Sequence, residues 1–149
     1  MMKYLPAGLA VAVFVVCGGV SATELTWLNR TTLERHLAGR DRAEVPVGEL
    51  LPKGHVLCAI GSYTANLPAG YERAEKDLQD AYLLPVREGD GLVFSVNEAR
   101  RVQSVSELSV WPDAVTLSVD EPLCIPATSA YLDLGWNGNS IVIRLEMSK

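Results

Sequence analysis

The chain has 149 residues, 48% of them hydrophobic, and carries 18 acidic against 13 basic side chains for a net charge of −5. That length supports one domain with a buried core. The acidic balance excludes a nucleic-acid partner, whose phosphates need Lys and Arg, and argues equally against an anionic lipid surface.

Residues 1–22 have the layout of a cleavable export signal. Lys3 is the only charge, an apolar run extends from Leu5 to Val16, and Val20-Ser21-Ala22 offers the small-x-small pattern that fits the narrow cleft of a signal peptidase. The run is shorter than the roughly 20 apolar residues of a membrane-spanning helix, so no transmembrane span is expected in the mature chain. Cleavage before Thr23 leaves residues 23–149 as a single exported β-rich domain. Loss of Lys3 sets its balance at 12 basic against 18 acidic residues, a net −6. The periplasm is the expected compartment. The alternatives are an extracellular protein and a lipid anchor at Cys17, although Phe14 and Val16 fit a lipoprotein signal poorly. Asn29-Arg30-Thr31 is a glycosylation sequon that matters only in a eukaryotic secretory pathway.

The first predicted element of the mature chain is a short helix over 31–38, with Thr31 as its cap, Glu34 as the capping-box partner and Gly39 as its stop. From Gly39 to Gly54 the chain is charged and punctuated by Pro46, Gly48 and Pro52, which predicts a loop or an irregular edge segment. His55 to Ile60 is apolar and strand-like. Tyr71, Ala74, Leu78 and Ala81 recur at helical spacing over 71–82, with Glu72–Lys76 and Arg73–Asp77 as outward pairs and Pro85 as the stop.

After the Gly89-Asp90-Gly91 turn the pattern becomes β. Leu92, Phe94 and Val96 alternate, residues 101–110 form a less regular strand, Trp111-Pro112-Asp113 turns, and Val115, Leu117 and Val119 alternate again. Asn137-Gly138 predicts a two-residue hairpin turn that pairs Trp136 with Asn139, Leu134 with Ile141, Leu132 with Ile143 and Ala130 with Leu145. The expected fold is mainly β (α+β): a single antiparallel β-sandwich or small barrel with one or two short helices. Cys58 and Cys124 are the two cysteines left after cleavage, and an even count in an exported chain predicts one disulfide between them.

Catalytic patterns are sparse. His36 and His55 are the only histidines, and no Gly-x-Ser-x-Gly elbow occurs. His55 and Cys58 stand three apart, which places them on opposite faces of a strand, and an oxidised cysteine has no thiolate to offer a metal. Glu72, Glu75, Asp77 and Asp80 are interleaved with Arg73 and Lys76 as a solvated helix face, and Asp120 and Glu121 read as a turn rather than a catalytic pair. No cofactor and no metal are expected.

Among the tryptophans, Trp111 before Pro112 is expected to plug the core edge. Trp136, with Asn137, Gly138 and Asn139, forms the candidate partner-binding tip. The expectation that follows is a non-enzymatic, small exported binding protein. An inhibitor or immunity protein acting on a secreted toxin or cell-wall hydrolase fits best, with another exported, basic protein as its partner. The alternative is a structural or assembly subunit of an envelope or surface complex, marked by an unprotected edge strand. A small hydrolase ranks below both.

Overall fold

A computed structural model describes residues 28–148. The expected export signal, Cys17 and Trp27 lie outside them.

Helix α1 spans Arg30–Leu37. Its cap is Asn29 and not Thr31: the extended Asn29 turns its side-chain oxygen onto the Thr32 N–H at 2.8 Å. Asn is among the best caps, and one position earlier it satisfies an amide that Thr31 cannot reach from inside the helix. Ala38 ends the helix in the left-handed region (φ 51°), its N–H on the Glu34 carbonyl. Leu33 and Leu37 face inward.

Eight strands follow: β1 (Arg42–Pro46), β2 (Val56–Ile60), β3 (Asp90–Val96), β4 (Val102–Ser109), β5 (Val115–Leu117), β6 (Leu123–Pro126), β7 (Ala130–Asn137) and β8 (Ser140–Met147). Helix α2, Glu72–Asp80, lies between β2 and β3. The strands form two four-stranded sheets, ordered β1-β7-β8-β5 and β4-β3-β2-β6. The segment expected as loop or irregular edge contains β1, whose Ala43 and Val45 point inward between exposed Arg42, Glu44 and Pro46. All pairings are antiparallel except β5 with β8, which run parallel with Val115 opposite Ile141. The sandwich reading holds, with that one exception to antiparallel pairing.

Two cores result. Between the sheets, Leu132, Leu134, Ile141 and Ile143 meet Leu57, Ala59, Val93 and Ile125, and Leu28, Leu33 and Leu37 of the α1 segment join the same cluster. On the far face of the second sheet, Val56, Cys58, Ile60, Leu92, Phe94 and Val96 pack under Ala74 and Leu78 of α2. Burial on both faces explains why β2 is a continuous apolar run where a half-exposed strand would alternate.

Cys58 and Cys124 stand opposite each other on β2 and β6 and are joined as a disulfide, closing a loop with a sequence separation of 66.

The helix ion pairs differ from the expected ones. Asp77 leaves Arg73 and accepts from Arg101 Nε and Nη2 at 2.9 and 2.8 Å and from the Val102 amide at 3.0 Å. It thereby pins α2 to the start of β4. Lys76 instead pairs with Asp80 at 3.3 Å.

The β7–β8 hairpin is present with a shifted register. Asn137 pairs with Ser140, Trp136 with Ile141 and Leu134 with Ile143, so Gly138-Asn139 occupies the turn. Gly138 alone has positive φ (63°), the pattern of a II′ turn, which wants glycine first. Because the partner moves by two positions, every side chain keeps its expected face.

Candidate functional site

The predicted tip residues sit at the end of β7 and in the turn that follows it. Strand alternation puts Trp136 on the side of Leu132 and Leu134, and puts Asn137 on the opposite face with Asp133 and Gly135. Trp136 is 38% exposed and lies beneath the α1 guanidinium of Arg30, 5.3 Å from the ring centroid. Gly138 and Asn139 form the exposed turn itself. A shallow depression of about 340 Å³ beside the tip is lined by Arg42, Asp133, Gly135, Trp136, Asn137, Val142 and Arg144, with Asp133 Oδ2 bonded to Arg42 at 2.8 Å.

A stronger constellation stands where the β4–β5 turn meets the N-terminal end of β3. Three segments converge there and are braced by hydrogen bonds. The Tyr63 N–H donates to the Val86 carbonyl at 2.7 Å, and the Val86 N–H donates to Thr64 at 2.9 Å. Ser62 Oγ donates to the Asp90 carbonyl at 2.9 Å and accepts from the Gly89 amide at 3.1 Å. Ser109 Oγ lies 2.7 Å from Asp90 Oδ1 and 3.0 Å from the Trp111 carbonyl oxygen. The turn after β4 continues this frame to α1, since Arg30 donates to the carbonyls of Asp113 and Ala114 at 3.1 and 3.2 Å.

This braced frame presents aromatic side chains to solvent. Tyr82 is 92% exposed, Trp111 86% and Tyr63 68%. The expectation that Trp111 plugs the core edge is therefore overturned: the turn after β4 carries its ring outward, and Val115 and Leu108 fill the core on either side. Backbone strain gathers here too. Tyr63 (φ 67°), Tyr82 (φ 60°) and Ala114 (φ 54°) are three of the five non-glycine residues in the left-handed region among those described. A bulky L-residue held there costs about 1–2 kcal/mol, and such outliers gather at functional sites.

The charge around the aromatics is negative. Arg87 is engaged by Asp90 at 3.6 Å. Glu88, Glu107 and Asp113 are exposed and have no cationic side-chain partner among the described residues. The neighbouring Glu88 carboxylate holds the Tyr63 phenol above its usual range. Tyr82, Arg87, Asp90 and Glu107 are among the residues that line a depression of about 260 Å³. Flat aromatic area set among unneutralised carboxylates is suited to contact with a cationic protein surface.

No group of three or more His, Cys, Asp or Glu gathers as a metal site among the described residues. His36 lies on α1, and His55 precedes β2. Comparison with protein-family models, curated proteins and solved structures finds no match for this chain. Sequence reasoning missed Tyr63 and Tyr82, because neither sits in a motif and only the folded frame brings their segments to the end of the second sheet from which the Trp111 turn departs.

Proposed function

We propose that this domain is an exported binding protein that docks on a basic partner protein through the end carrying Tyr63, Tyr82 and Trp111. The observation that carries the reading is the exposure of these three rings on a hydrogen-bonded frame rimmed by unpaired acids. Tyr and Trp dominate interface hot spots because they bury large area with few rotamers to fix. The acidic rim speeds encounter with a cationic surface. An inhibitor or immunity protein directed at a secreted toxin or wall hydrolase is the version best matched to that charge and to an exported compartment.

The assembly-subunit alternative needs an open sheet edge, and all four edges are blunted. β1 carries Arg42, Glu44 and Pro46, β5 and β6 are three and four residues long, and β4 is irregular where it pairs with the end of β3. Each is a device against strand addition.

The test is capture from envelope extract, purification of the captured protein and measurement of its binding to the natural domain and to a Tyr82→Ala/Trp111→Ala variant. The expected result is a basic partner whose affinity falls about a hundredfold in the variant and weakens with salt. A partner indifferent to both changes would remove the reading.

A further inference from the structure

A groove of about 300 Å³ opens between β4 and the segment that follows β1. Leu50, Leu51 and Pro52, which come after the 3-10 turn Val47–Glu49, form its apolar wall, and both leucines abut the core between the sheets. Its polar lining includes Ser95, Gln103 and Ser104. These three have spent donors and kept acceptors. Gln103 Nε2 donates to the Arg101 and Val102 carbonyls at 3.3 and 3.2 Å, which leaves the amide oxygen as its free end. Ser95 and Ser104 share a hydroxyl–hydroxyl bond that uses one of their two hydrogens and leaves lone pairs on both oxygens. The groove therefore suits an apolar body that carries a single hydrogen-bond donor.

The chain itself brings such a group to the groove. Leu28 is buried in the same core, and its N–H donates to Ser106 Oγ at 2.9 Å. Ser104, Ser106 and Leu108 alternate onto the inner face of β4, the outermost strand of its sheet. Two residues after Leu28, Arg30 donates to the carbonyls of Asp113 and Ala114, beyond the C-terminal end of β4. From Arg30 back to Leu28 the backbone thus runs along β4 toward Ser104, which stands about 7 Å past Ser106. The next residue upstream is one step of about 3.8 Å further on, and it is Trp27. An indole has a large apolar body and one donor, its Nε1–H.

We infer that Trp27 seats in this groove, its ring against the Leu50–Pro52 wall and its N–H on an oxygen of the Ser95, Gln103 and Ser104 lining. The chain entering α1 is then a strap that closes the open flank of the sandwich, and the folded domain begins upstream of Leu28. Burial of the ring against the leucines supplies the driving force. The groove is at the opposite end of β3 and β4 from the turn that carries Trp111, so the inference stands apart from the docking end.

The test is fluorescence of the intact protein carrying Trp111→Phe and Trp136→Phe, which leaves Trp27 as its one tryptophan. Emission to the blue of the urea-unfolded protein and a severalfold lower acrylamide quenching constant are expected. Adding Ser104→Leu, which fills the groove, should return both to the unfolded values while the far-ultraviolet circular dichroism stays native. In the natural protein, with no substitution, a nuclear Overhauser contact should join the Trp27 indole N–H to the Leu51 methyl groups. Trp27→Ala should lower the thermal midpoint by about 4–8 °C, and Trp27→Phe should recover part of the loss. Emission of a water-exposed ring, emission unmoved by Ser104→Leu, absence of the Overhauser contact, or an unchanged midpoint in Trp27→Ala overturns the inference. So does protection from acrylamide that rises with protein concentration, which would seat Trp27 on a second copy.

Discussion

Tyr82 combines two properties that rarely favour each other: a ring almost wholly in water and a backbone in the left-handed region. Little packing compensates the strain, so the residue is costly where it stands. Tyr82→Gly should therefore leave the thermal midpoint unchanged or raise stability by up to about 1 kcal/mol, while weakening the docking reaction. A lowered midpoint would show that the ring contributes to the fold. Asp77 is the opposite case. Burial alone would push its carboxyl up, but the Arg101 guanidinium and the Val102 amide outweigh burial and hold it below the usual range. A folded value below the unfolded one gives stability that is fully present above about pH 3.9. That stability is lost as pH falls through the lower folded value. Asp77→Ala should cost about 1–2 kcal/mol at neutral pH, with Arg101 half exposed and able to hydrate. The acid limb of the urea-denaturation profile should flatten in the variant.

At the scale of elements, two glycines separate conformational from steric cost. A Cβ at Gly138 would meet nothing within 4 Å, so Gly138→Ala carries only the penalty of positive φ, about 1 kcal/mol. At Gly91 a Cβ would stand 2.9 Å from Leu117 Cβ, where β3 approaches β5 across the sandwich. Gly91→Ala must push strands apart and should cost more, about 1–3 kcal/mol. Urea unfolding of the two variants checks the order. Periodicity made most elements legible: α2, β3, β5 and the β7–β8 hairpin all follow from spacing that local burial enforces. Boundaries and partners were less legible. Thr31 and Asn29 are both good caps, and only the chain's entry angle chooses between them. Asn137-Gly138 and Gly138-Asn139 both suit a tight turn, and the II′ geometry selects the second. β1 was hidden because its two inward side chains, Ala43 and Val45, are few and small beside the surrounding charges.

For the whole molecule, the disulfide is the main constraint on the unfolded chain. Closing a loop of that length is worth about 4 kcal/mol in the chain-entropy model. A Cys58→Ala/Cys124→Ala variant should lose roughly 2–4 kcal/mol in urea unfolding. A loss confined to a few tenths would mean that the strand pairing of β2 with β6 is sufficient by itself. The mainly β architecture was legible from the sequence because of its short alternating strands, but the choice between a sandwich and a small barrel was not, since the pairing that separates the strands into two sheets is long-range. The candidate docking end was not, because it is assembled from residues 62–63, 82–90 and 109–114, which share no local pattern.

The order of strands in the first sheet also sets a timetable. β1 has no partner until β7 exists, some ninety residues further along, and β5 has none until β8 exists. Nothing in that sheet can be hydrogen-bonded early, so this half of an emerging chain stays open until residues 130–147 are free to zip β7 and β8 together and gather the waiting strands around them. Such long-range closure places folding in the millisecond-to-second range. It also leaves that half of the protein unpaired until synthesis is almost complete, when the other sheet already has all its strands.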